Sequence, residues 1–96
     1  PILFSTPELN IEVSDEKKFE IVKKFVANCT LKGEKISIDG LRINFDNGWG
    51  LLWASNTTPM LVMRIEGNTE ENLISIKNKF IKELSRICPD IDINLN

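Results

Sequence analysis

The stretch Gly48–Gly67, GWGLLWASNTTPMLVMRIEG, decides the fold. It reads as an apolar strand from Trp49 to about Trp53, a polar loop Ser55-Asn56-Thr57-Thr58-Pro59, and a second apolar strand from Met60 to Glu66. Near-continuous apolar strands lie centrally in their sheets. Two of them joined by so short a loop pair antiparallel. Side chains alternate along a strand, so Trp49, Leu51 and Trp53 share one face and Leu52 takes the other. Large apolar groups on both faces imply that the second face also has a partner.

On the N-terminal side, Leu41, Ile43 and Phe45 alternate with Arg42 and Asn44, the period of a half-buried strand. Asp46-Asn47-Gly48 turns it into the first apolar strand, and Asp39-Gly40 turns into it from Ile36 and Ile38. Further back, Phe19, Val22, Val26 and Cys29 recur at helical spacing, widened by Ile21 and Phe25. This predicts a helix from about Asp15 to Cys29, capped by Ser14 or Asp15. Lys17, Lys18, Glu20, Lys23 and Lys24 are expected on its solvated side. Leu9 to Val13 alternates as a strand, and residues 1–8 read as irregular.

Beyond Gly67, Asn68 or Thr69 can cap a second helix, with Glu70 and Glu71 favouring its N-terminus. Leu73, Ile76, Phe80, Leu84 and Ile87 form its apolar stripe, and Pro89 ends it. Ile91 to Asn94 alternates and is expected to add an edge strand. The order strand, helix, meander, helix predicts an α+β fold: an antiparallel sheet of four to five strands with two helices packed on one face.

Ninety-six residues, 42% of them hydrophobic, make one domain, 1–96, with one core. Formal net charge is -2 with charges interleaved, which disfavours nucleic acid as a partner. No apolar run approaches the roughly 20 residues that span a bilayer, so no membrane is expected. The start lacks a signal-peptide pattern, and a cytoplasmic location is expected. Pro1 is no initiator methionine, so the chain reads as a piece of a longer protein. There is no histidine, and Cys29 and Cys88 have no metal-ligand spacing, so metal ligands and a catalytic constellation are expected to be absent. The cysteines read as small buried apolar groups.

The loop is the one place where chemistry gathers. Ser55, Asn56, Thr57 and Thr58 offer hydroxyl and amide donors, and the turn adds backbone N–H groups, a set that can hold an anion. The same residue types also satisfy a hairpin's own backbone. On residue types alone both readings stand.

The run DGLRINFDNGWGLLWASNTTPMLVMRIEG resembles the C-terminal domain of the α-D-phosphohexomutases, in particular the bacterial phosphomannomutase/phosphoglucomutase group. Asp39, Gly40 and Arg42, Gly48 and Trp49, Ala54 to Pro59, Arg64 and Glu66 fit that group's pattern. So does the helix start Thr69-Glu70-Glu71. The resemblance covers about Pro7 to Arg86. It implies a TATA-box-binding-protein-like domain of a four-domain enzyme that interconverts 1-phospho and 6-phospho hexoses. The resemblance further implies that the phosphoserine and the Mg2+ site lie in earlier domains and that this domain alone is not catalytic. By the same resemblance, Ser55, Asn56, Thr57 and Thr58 grip the substrate's non-reacting phosphate while the domain closes the cleft. The implied partners are a hexose phosphate and the other domains. The alternative is a non-catalytic binding or interaction module with a purely structural loop.

One position departs from the pattern. The family motif opens with Arg, where this chain has Trp53. An Arg offers a fixed charge and a two-pronged donor set; Trp offers one N–H. Arg64 and Arg42 are the candidate auxiliary cations.

Overall fold

The computed structural model describes residues 4–93. The elements run β1 (Phe4–Ser5), β2 (Leu9–Glu12), α1 (Lys18–Asn28), β3 (Glu34–Ile36), β4 (Gly40–Phe45), β5 (Gly48–Ala54), β6 (Met60–Gly67) and α2 (Glu70–Ile87). The architecture is α+β, an open antiparallel sheet with two helices. The sheet order is β1-β6-β5-β4-β3, with β2 also on β6. The sheet is six segments in five positions, because β1 and β2 lie end to end along one edge of β6. Leu9–Glu12 pairs with Met60–Met63, and Phe4–Ser5 pairs with Glu66–Gly67. Pro7 has no N–H to give the ladder. Thr6 bridges the gap with its own N–H to the Ile65 carbonyl (2.9 Å), and its hydroxyl accepts the Ile65 N–H (3.1 Å). Phe4 and Ser5, expected to be irregular, are therefore strand.

The core follows from the register. Leu41, Leu52 and Met63 lie side by side across β4, β5 and β6, with Leu9 of β2 next in line. Ile43, Gly50 and Ile65 make the neighbouring row. The helices lay Val22 and Phe25 from α1, and Ile76, Phe80 and Leu84 from α2, onto this face. The rings of Phe25 and Phe80 meet at 5.8 Å between centroids. Burying side chains of this size stabilises by about 1.5–3 kcal/mol each. Gly50 matters to the stacking: a Cβ there would collide with the Phe80 ring.

Trp49, Leu51 and Trp53 face away from the helices, as their alternation requires, and all three stay half-buried. Their rows on this open face are Asn44–Trp49–Glu66, Arg42–Leu51–Arg64 and Gly40–Trp53–Val62.

The helices depart from expectation in detail. α1 begins at Lys18, after a turn in which the Ser14 carbonyl accepts the N–H groups of Lys17 and Lys18. No side chain caps it, so neither Ser14 nor Asp15 serves as N-cap. Its buried stripe is Lys18, Val22, Phe25 and Cys29, whereas Phe19 is 52% exposed. Val22, Phe25 and Cys29 are buried as expected and Val26 is partly buried, but Phe19 leaves the stripe and Lys18 leaves the solvated side to join it. Thr69 caps α2 as expected, its hydroxyl accepting the Asn72 N–H at 3.1 Å. Ile38 is 77% exposed, because β3 stops at Ile36. Asp39 takes φ 57°, a left-handed turn conformation that Asp tolerates. Ile91–Ile93 forms no strand, although Ile91 and Ile93 pack against the core. Asn94, the end of the expected edge strand, lies outside the described residues.

Candidate functional site

The loop between β5 and β6 is short because the two strands pair up to Ala54 and Leu61. Ser55 N–H donates to the Met60 carbonyl at 2.9 Å and closes the hairpin. The Ser55 hydroxyl oxygen then organises the tip. It accepts the Thr57 N–H at 3.3 Å, the Thr58 N–H at 3.2 Å and the Thr58 hydroxyl at 2.7 Å. Asn56, Thr57, Thr58 and Pro59 are exposed and Ser55 is half-buried. The structure thus gathers all four donor residues at one hairpin tip. Ser55 is engaged with the loop's own backbone, while the exposed Asn56 amide and Thr57 hydroxyl make no hydrogen bond to another described residue.

The loop is tied down from below. Lys18 Nζ donates to the Thr58 carbonyl at 2.9 Å and pairs with Asp15 Oδ1, also at 2.9 Å. Val13 N–H donates to the Pro59 carbonyl at 3.0 Å. Sequence reasoning assigned Lys18 to solvent. The signal that finds it is positional: residue 18 stands four before Val22 and seven before Phe25, on the buried stripe.

Trp53 adjoins the loop on the open sheet face, between Gly40 and Val62. Arg42 and Arg64 share the next row, either side of Leu51, so each is two residues along its strand from the Trp53 row, roughly 7 Å. Arg42 is committed away from the loop. Its Nε donates to Asn44 Oδ1 at 2.9 Å, and its guanidinium carbon lies 4.2 Å from the Trp49 ring centroid. Asn44 in turn donates to Glu34. Arg64 is exposed and enters no ion pair among the described residues. Of the two candidate cations, Arg64 alone is free to turn toward the loop.

Beside the loop, α1 and the turn into β4 enclose an open groove of about 740 Å3. Phe19, Val22, Lys23, Ser37, Asp39 and Asn56 are among its walls. Its charged wall residues are Glu20, Lys23 and Asp39, an acidic balance that does not favour an anion within the groove itself. Among the described residues no group of three or more His, Cys, Asp or Glu comes together to hold a metal ion, and no helix is long and apolar enough to cross a membrane. Cys29 and Cys88 are free thiols.

Comparison with known proteins agrees with this architecture. Residues 8–83 match the model of the phosphoglucomutase/phosphomannomutase C-terminal domain. A phosphomannomutase/phosphoglucomutase of Pseudomonas syringae pv. tomato is 43% identical over 90 residues, covering 93% of this chain and 19% of that protein. A phosphoglucomutase of Neisseria meningitidis serogroup B is 43% identical over 83 residues, 83% of this chain and 18% of that protein. The crystal structure of a phosphoglucomutase/phosphomannomutase family protein from Burkholderia thailandensis superposes with a TM-score of 0.84 at 33% identity, over 97% of this chain and 19% of that one. The chain thus spans about a fifth of the length of these relatives. With that family model matched over residues 8–83 and a solved member superposing at a TM-score of 0.84, the chain belongs to the phosphoglucomutase/phosphomannomutase C-terminal domain family.

Proposed function

We propose that this domain binds the non-reacting phosphate of a hexose phosphate through Ser55, Asn56, Thr57 and Thr58. In the parent enzyme it closes over the substrate cleft. The observation that carries the reading is the exposed cluster of short donors at the tip of a hairpin whose strands are central to the sheet. The Thr57 and Thr58 N–H bonds to the Ser55 hydroxyl, 3.3 and 3.2 Å, are long for hydrogen bonds. Exchanging them for shorter, charge-assisted bonds to a phosphate oxygen is favourable. Small hydroxyls and N–H groups read the phosphate and little of the sugar. That suits a mutase, whose bisphosphorylated intermediate must be held in two orientations. Binding energy from the remote phosphate orients the reacting end, and closure keeps water from the phosphoenzyme.

In this proposal the parent is a phosphohexomutase of the cytoplasm, and its Mg2+ and phosphoserine belong to other domains. The half-buried Trp49, Leu51 and Trp53 on the open sheet face fit a surface that those domains cover. A second reading has its own observation: Ser55 already serves three donors of its own loop. On that reading the hairpin is purely structural and the domain a binding or interaction module.

A chemical-shift titration with inorganic phosphate or a hexose phosphate separates the two. The first reading expects saturable shifts at the amides of Ser55 to Thr58. Amides that stay fixed, while a hexose phosphate still leaves the core resonances unchanged, refute it. Trp53→Arg sharpens the test. The new guanidinium would adjoin the loop with Gly40 opposite, where no side chain competes. A charge-assisted bond is worth about 1.5–3 kcal/mol, so affinity should rise about tenfold to a hundredfold. Unchanged affinity would mean that the loop is not the grip or that Arg64 already supplies the charge; Arg64→Ala distinguishes these.

A further inference from the structure

We propose that Lys18 is the positioning residue of the Ser55–Thr58 loop, holding it by a carbonyl so that its outer side is left with donors for an anion. The inference rests on the phosphate reading above. Lys18 is 4% exposed at the start of α1. A lysine there has a stem long enough to reach water. It instead brings Nζ to the Thr58 carbonyl, 40 residues away along the chain. Burying an ammonium is costly unless its donors are satisfied. Two are, by Thr58 and by Asp15.

The consequence lies in the polarity of the loop. The Thr58 carbonyl accepts from Lys18 Nζ at 2.9 Å and from the Met60 N–H at 2.8 Å, which uses both its lone pairs. The Pro59 carbonyl is taken by Val13. A carbonyl oxygen turned toward a phosphate repels it. Drawing these two toward the protein removes their share of that repulsion, and the exposed tip carries the Asn56 amide and the Thr57 hydroxyl, which bond to no other described residue. Lys18 does this without touching the ligand. It acts through Thr58 and is tethered in turn by Asp15, whose side chain is 69% exposed.

The test is Lys18→Met, which keeps the stem and removes the donor. Inorganic phosphate is titrated into the chain while the amides of residues 55–58 are followed, with the amides of Leu52 and Ile65 reporting the fold. Phosphate affinity should fall about tenfold or more, the cost of a misdirected hydrogen-bonding group, with the Leu52 and Ile65 signals in place. Asp15→Asn leaves the Nζ–Thr58 bond and should bind within about threefold of wild type on the same scale. In the unmutated chain, the Lys18 side-chain resonances should move with the same midpoint as the loop amides, which needs no variant to fold. The inference is overturned if Lys18→Met binds like wild type, if Asp15→Asn loses as much as Lys18→Met, or if the Lys18 resonances stay still while the loop saturates. A wild-type loop that ignores phosphate overturns the phosphate reading itself, and this inference with it.

Discussion

Glu83→Gln should remove a charge clamp that joins the two helices, and the loss should depend on pH in a defined direction. Glu83 is 7% exposed on α2. Its Oε1 accepts the Thr30 N–H at 2.6 Å and the Thr30 hydroxyl at 2.9 Å, and its Oε2 accepts Arg86 Nε at 2.9 Å. Arg86 Nη2 reaches on to the Asn28 carbonyl at 2.7 Å, so the end of α1 is held twice. The Arg86 bonds lower the Glu83 carboxyl from 4.5 to about 2; burial opposes this and the Thr30 bonds reinforce it. The folded value lies below the unfolded one. The contribution is therefore fully present above about pH 4.5 and lost as pH falls toward 2. A depression of this size corresponds to at most about 3–4 kcal/mol. The Arg86 side chain is 50% exposed, so solvent screening reduces the expected figure to about 1–2 kcal/mol. Urea unfolding followed by tryptophan fluorescence measures it. The gap between wild type and Glu83→Gln should be about 1–2 kcal/mol at pH 7, shrink by about half near pH 3, and close near pH 2. A gap that is constant across this range would show a packing effect and refute the charge argument; no gap at pH 7 would refute the clamp.

Ser55→Ala removes the acceptor of three loop donors, so the Thr57 and Thr58 amides should exchange faster with solvent while global stability falls by only about 1 kcal/mol, read by hydrogen exchange beside urea unfolding. Gly50→Ala forces a methyl into the fully buried Phe80 ring and should cost about 1–3 kcal/mol; a neutral result in thermal unfolding would mean that the ring can move aside. Burial pushes both thiols up, but Cys29 is 8% exposed while Cys88 is half-buried, so a disulfide reagent at pH 7 should modify Cys88 first and reach Cys29 only on unfolding.

Periodicity records which face of an element is buried, and that part of the fold was legible in the chain itself. The β5–β6 hairpin, the alternation that sets Trp49, Leu51 and Trp53 against Leu52, the Thr69 cap and the stripe of α2 all follow from neighbours within a few residues. So does the collection of Ser55, Asn56, Thr57 and Thr58 at one tip, since a short loop cannot separate them. In α1 the spacing placed Phe19 inside and Lys18 outside, and packing reversed both.

What only the tertiary structure decided depends on partners distant in sequence. Lys18 is buried because Thr58 offers it a carbonyl, 40 residues on, and no local pattern contains that fact. Glu83 is buried for the same kind of reason, with Thr30 at a separation of 53. The sharing of β6 by β1 and β2 is set by Thr6 against Ile65, 59 residues apart. Polar groups enter a core when a specific partner satisfies them, and that partner is known only once the chain has closed on itself. The chain alone could therefore name the residues of the loop, while the lysine and the carbonyl that meet beneath it were brought together only by folding.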